Sequence, residues 1–165
     1  AEVQRGDAEA EVLVGALKPG TVRVAITNGH ARLVQMIAAI LVQTGPADLV
    51  ISSWVVARKD IDALVQLGRQ GAYTRLRLMI DAGMLNRERV GYSQLVDAFG
   101  RENIREFRNH AKMALIGNES WGIAMPTSAN LTGNPRQEHY TIICDKRIYQ
   151  TLIDDWVEPY FDRSA

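Results

Sequence analysis

A single cysteine among 165 residues excludes an intramolecular disulfide. Cys144 sits in the apolar run from Tyr140 and reads as a small core residue, which points to a reducing compartment. No segment approaches the ~18 uninterrupted apolar residues of a spanning helix. The first residues, AEVQRGDAEAEV, also lack the basic-then-apolar plan of a signal peptide. The expectation is therefore a cytoplasmic protein with no stable membrane association. Neither charge is in surplus: 19 basic side chains balance 19 acidic ones, which excludes a uniformly basic nucleic-acid coat. Lysine is scarce, with only Lys18, Lys59, Lys112 and Lys146, so arginine, the residue suited to bidentate phosphate contacts, dominates the basic set. Neither a GxGxxG nor a GxxxxGK[ST] loop occurs. His30, His110 and His139 are scattered, without CxxC or clustered carboxylates. No metal and no cofactor is expected.

What is present is 47% hydrophobic and 23% charged residues, enough for a core in one domain spanning 1–165. Ala8 to Leu17 has helical spacing and stops at Lys18-Pro19-Gly20. Val22, Val24 and Ile26 alternate as in a strand, and from His30 the stretch LVQMIAAILVQ reads as a buried helix ending near Gly45-Pro46. A strand from Leu49 to Val56, a helix from Lys59 to Gly71, a strand from Leu76 to Ile80 and a helix from Glu88 to Phe99 continue the alternation. After Gly100 the pattern changes to strands at His110 to Ile116 and Trp121 to Met125, joined by a polar turn that suits a hairpin. Tyr140 to Cys144 is a further strand, and Arg147 to Tyr160 a closing helix. The expected fold is α/β: a mixed, mainly parallel β-sheet flanked by helices on both faces.

The second half carries the chemistry. His110 and Lys112 lie two apart on an expected strand, so their side chains leave one face, and Ser128 and Asn130 repeat that relation after the next strand. Paired as a hairpin, these strands bring a histidine, an ammonium, a hydroxyl and a carboxamide to one sheet edge. Such a group supplies a nucleophile or base together with donors for an oxyanion, and phosphate is the natural candidate. Glu138 is placed to accept from one ring nitrogen of His110 and fix its tautomer. Taken alone, a histidine and a lysine at this spacing are usually solvent-facing residues, and a segment such as TSANLTGNP is a turn-rich loop.

The order of the whole set decides between these readings. HAK at 110–112 followed by TSANLTGNPRQEHY at 127–140 resembles the phospholipase D superfamily signature of HxK, an acid five positions after the lysine, G-S/T-x-N and a downstream Glu. His110, Lys112, Ser128 and Asn130 match it, and Glu138 matches in order. The acidic position falls on Gly117, with Glu119 nearby, and the glycine before the serine is Thr127.

The resemblance implies a phospholipase D-like fold, and a homodimer, because family members use two HxK motifs and this chain has one. It further implies a metal-independent phosphodiesterase in which one His110 forms a phosphohistidine and the second protonates the leaving oxygen. His110, Lys112, Asn130, Ser128 and Glu138 are the implied catalytic set. Small single-motif members include nucleases, so nucleic acid is the expected substrate. The span from Arg69 to Lys112 holds nine basic residues against five acidic ones. Arg105, Arg108 and Arg136 are the candidates for phosphate or nucleic-acid contact, although Glu102 and Glu106 interleave with the first two as they would on a solvated, ion-paired face. Gly117 motivates an alternative, a nucleic-acid-binding or assembly module without turnover. A phospholipid phosphodiesterase is a further one, for which Trp121 and Met125 are the only nearby apolar hints.

Overall fold

The structure is a computed structural model that describes residues 2–6 and 9–162. Eight strands form one sheet: β1 (Glu2–Gly6), β2 (Val22–Thr27), β3 (Ala47–Ser53), β4 (Tyr73–Asp81), β5 (Ile104–Phe107), β6 (Met113–Gly117), β7 (Gly122–Pro126) and β8 (Glu138–Cys144). Their spatial order is β1-β2-β8-β7-β6-β3-β4-β5. The β1/β2, β3/β4 and β4/β5 pairs are parallel. The β2/β8, β8/β7, β7/β6 and β6/β3 pairs are antiparallel. The sheet is thus mixed as expected but not mainly parallel. The βα units make parallel neighbours only at its two sides, and the hairpin with β8 fills the middle with antiparallel pairs.

Helices α1 (Ala10–Val14), α2 (Leu33–Thr44), α3 (Arg58–Arg69), α4 (Met84–Arg87) and α5 (Arg89–Phe99) precede β5. Of these, α1, α2, α3 and α5 cover one face of the sheet, over Leu49, Ile51, Leu78, Ile80, Ala114 and Ile116. The other face carries Val50, Met79, Leu115 and Ala124 under α6 (Lys146–Leu152), a π-type turn (Ile153–Val157) and α7 (Glu158–Phe161). Successive strand residues therefore feed two different cores, which is why these strands read as continuous apolar runs rather than alternating ones. Tyr140 and Cys144 are buried in the first core.

Several expected boundaries move. The first helix begins at Ala10, and Ala8 lies outside the described residues. β5 and α4 had no strong period of their own. The strand expected from His110 starts only at Met113, because Asn109 to Lys112 form the approach to it. At the ends of elements the local chemistry is ordinary. Asp145 caps α6 by accepting from the backbone N–H groups of Arg147 and Ile148, and Gly45 ends α2 at a φ of 72° that favours glycine. No helix among the described residues is long and apolar enough to cross a membrane.

One ion pair crosses from α2 to α3. Arg32 Nη2 donates to Asp60 Oδ1 at 2.8 Å, with the Asp60 side chain fully buried. Burial raises the Asp60 carboxyl above its ordinary range, and the Arg32 charge and hydrogen bond only partly oppose this. Arg32→Ala leaves that carboxylate unpaired and is expected to cost about 3 kcal/mol at neutral pH, read from denaturant unfolding. Because a carboxyl with a raised folded pKa loses stability as pH rises from its unfolded value through the folded one, acidification toward pH ~4 should narrow the gap between variant and wild type.

Candidate functional site

The end of the sheet where β3 and β4 finish and β6 and β8 begin collects the polar residues. Asn109, buried, arranges it. Its Nδ2 donates to Ser52 Oγ at 2.8 Å and to Met79 O at 2.9 Å, and its Oδ1 accepts from Ala111 N at 3.0 Å. Its own N–H donates to Asp81 Oδ2 at 3.1 Å, and Ser52 Oγ donates to Ala111 O at 2.9 Å. With the backbone on either side tied down, His110 projects outward and is exposed.

Lys112 folds back on this ring. Its Nζ lies 3.1 Å from His110 Nδ1, 3.4 Å from Nε2 and 2.9 Å from the His110 carbonyl oxygen. Burial holds the ammonium below the ordinary lysine value of 10.5, and the Glu138 charge acts in the opposite sense. The Lys112 carbonyl accepts from Thr127 N at 3.0 Å, so the loop that follows β7 starts beside it.

Ser128 Oγ accepts from His139 N at 3.0 Å and donates to Glu138 Oε2. Asn134 Nδ2 donates to Glu138 Oε1 at 2.9 Å. Both Glu138 oxygens therefore serve the 128–134 loop. The expected hydrogen bond from His110 to Glu138 is not made, because Ser128 and Asn134 hold the carboxylate from both sides. Asn130 Oδ1 accepts from Trp54 N at 3.1 Å, which turns its amide nitrogen into the free donor. Ser53 Oγ supports the same loop, accepting from Leu131 N at 3.0 Å and donating to Val55 O at 2.7 Å.

Trp54 was missed by the sequence reading. Its ring lies 5.7 Å from that of His110, between centroids, at 52°. The Arg87 guanidinium stacks over the indole at 4.5 Å and pairs with Asp81 Oδ1 at 2.7 Å. That contact and the Asn109 and Gly83 N–H groups hold the Asp81 carboxyl below its usual range, with the Arg87 hydrogen bond the largest cause. The available signal was Ser52-Ser53-Trp54 at the end of an apolar strand, where polar and aromatic residues interrupt a core run.

The three arginines fall in different places. Arg108 is exposed, two residues before His110, and Arg136 is exposed in the loop between Asn134 and Glu138. Arg105 is not at the site. It pairs in register with Met79 on the α6–α7 face, donates through Nε to Tyr160 O at 2.8 Å and stacks over Phe161 at 4.6 Å. Among the described residues no cluster of three or more His, Cys, Asp or Glu could hold a metal ion.

Gly117 lies at the opposite end of β6, paired with Asp48 and Gly122. It is five residue steps along extended chain from Lys112, a distance of about 16 Å. A Cβ there would stand 2.2 Å from the Tyr149 ring. The missing acid therefore removes nothing that faces His110, and Glu119 sits at the same remote turn, where its carbonyl accepts from Lys146 Nζ at 2.7 Å.

No family model and no curated protein matches the chain. Among solved structures, a polyphosphate kinase from Porphyromonas gingivalis is similar over 74% of this chain, with 16% identity and a TM-score of 0.48. The chain spans 20% of that kinase's length.

Gly117→Ala is expected to destabilise by about 1–3 kcal/mol, since the Tyr149 ring must move. Pairing it with Tyr149→Ala should make the two losses less than additive in thermal unfolding. Neither change should alter affinity for inorganic phosphate, and a changed affinity would tie the far end of β6 to the site after all.

Proposed function

We propose that the chain is a metal-independent phosphodiesterase of the phospholipase D type, acting on nucleic acid as a homodimer. The convergence of His110 and Lys112 with Asn130 and the Ser128–Glu138 pair, from three separate stretches of chain at one sheet end, is what supports this reading. In the first step a ring nitrogen of His110 attacks phosphorus. The bond to the leaving oxygen breaks, and that oxygen takes a proton from the partner subunit's His110. Water then attacks phosphorus, the P–N bond breaks, and the neutral imidazole of the partner subunit's His110 takes the water proton. Together the two steps replace one difficult displacement by two easier ones. Lys112 and the Asn130 amide nitrogen meet the charge on the phosphoryl oxygens, and the exposed Arg108 and Arg136 contact neighbouring phosphates.

One observation favours a second reading, a nucleic-acid-binding module without turnover: Glu138 does not orient the His110 ring. A lipid substrate finds no support in Trp121 and Met125. Met125 is buried, and Trp121 packs against the same core.

Hydrolysis of single-stranded DNA and RNA oligonucleotides should persist in EDTA, vanish with His110→Ala and fall ~10²–10³-fold with Asn130→Ala. Salt-sensitive binding with no products would select the second reading. The specific activity should fall on dilution as the dimer dissociates, and a monomer by ultracentrifugation that retained full activity would overturn the shared site.

The charge on Lys112 gives a separate test. Because its pKa is lowered, phosphate affinity should decline on the alkaline side with a midpoint below the ordinary 10.5. Lys112→Arg should move that decline to higher pH, since guanidinium stays charged.

A further inference from the structure

Beside the His110 site lies an open cleft of about 380 Å³. One wall is Val55, Val56 and Ala57, the segment that follows Trp54; the other is the start of α5, with Val90 and Gly91. Thr132 closes one side, and Arg58, Glu88 and Gln94 add polar groups. The cleft is built onto the site through bonds already formed. Ala57 N donates to Leu131 O at 2.7 Å, Val56 bridges Leu131, and Asn130 holds the Trp54 N–H. On the far wall, Arg87, which stacks on Trp54, directly precedes Glu88.

Two features of this cleft are unexplained by packing. Gly91 stands in a helix although glycine is the poorest helix former after proline. A Cβ there would meet Val56 O at 3.8 Å and nothing nearer, which is ordinary contact. Steric crowding therefore does not demand the glycine, whereas any longer side chain would enter the cleft. Val90 in the cleft is 72% exposed, and Trp54, next in the chain to Val55, is 36% exposed, so apolar surface in the cleft and aromatic surface beside it stay in water. Such surface next to a few polar groups is the usual make-up of a small-ligand cleft.

We propose that this cleft is the subsite for a nucleoside carried by the phosphate at His110. The inference rests on the phosphodiesterase reading and names its substrate class. The base lies between the Val55–Val56 wall and Val90, with its edge toward Glu88 and Gln94, and a neighbouring base uses the Trp54 rim. A cleft of about 380 Å³ has room for one nucleoside-sized group. Glu88 is an acceptor suited to an exocyclic amino group. Gly91 keeps the space open.

The test is calorimetric binding of AMP, inorganic phosphate and glycerol 3-phosphate to the full chain and to Gly91→Leu, with thermal unfolding to verify that the variant is folded. AMP should bind roughly tenfold tighter than phosphate, because its base buries apolar surface against the valines that phosphate cannot reach. Gly91→Leu should reduce AMP to near the phosphate value and leave phosphate itself unchanged. Should the variant fail to fold, Gly91→Met and Val90→Asp serve the same comparison. AMP binding no tighter than phosphate, or an AMP advantage that survives the filled cleft, overturns the subsite while leaving the phosphate site standing. Glycerol 3-phosphate binding more tightly than AMP assigns the cleft to a lipid headgroup and also overturns it. If neither phosphate nor AMP binds the wild type, the phosphodiesterase reading itself fails and takes the subsite with it.

Discussion

The buried amide of Asn109 is the constraint on which the rest of the site depends. It bonds to a hydroxyl on β3, a carbonyl on β4 and the N–H of Ala111, while its own N–H reaches the Asp81 carboxylate. A buried carboxamide this fully used is held in one orientation, since any alternative leaves several groups unpaired. The chain leaving β5 can then enter β6 along only one path, and His110 is forced outward at the crest of that path. Asp81 acts twice, through Asn109 to the backbone beside His110 and through Arg87 to the indole beside its ring. The position of His110 is thus fixed by groups of which none is itself reactive.

Charge is arranged around this point with some economy. Glu138 raises the tendency of Lys112 to stay protonated while burial lowers it, and burial wins. The carboxylate meanwhile secures the 128–134 loop from which Asn130 presents its amide. Neutrality of the whole chain hides this, because near the site the acids Asp81 and Glu138 hold backbone and loop while Arg108 and Arg136 are exposed. Arg105 is the exception that strand geometry explains: one residue of register turns it to the opposite face, where it packs on Phe161.

β2, α2 and α3 were legible from their period, and β3 and β8 as bounded apolar runs. The mainly parallel sheet was not, because strand direction is decided by which edges meet, and nothing local in β8 states that it enters between β2 and β7. The short β5 and α4 carried too few residues for a period. Among the candidate site residues, His110, Lys112, Ser128, Asn130 and Glu138 stood out because reactive types recur at fixed order. Asn109, Ser53 and Trp54 did not, since their contribution lies in partners 30 to 80 positions away. The partner of Glu138 was misread for the opposite reason: Ser128 and Asn134, ten and four positions away, hold the carboxylate in place of His110.

The central position of β8 bears on how the chain acquires its shape. It is the last strand in chain order, yet it joins the β1–β2 pair to the other five strands. Until it is in place, β2 and β7 each have an unpaired edge, and the two parts of the sheet share no backbone hydrogen bonds. Such edges are templates for pairing with other chains. Before β8 docks, the strands and helices that precede it can make much of the first core, but not the second, which needs α6 and α7, nor the continuous sheet or the anchored 128–134 loop, so this one strand closes the exposed edges and secures the loop together.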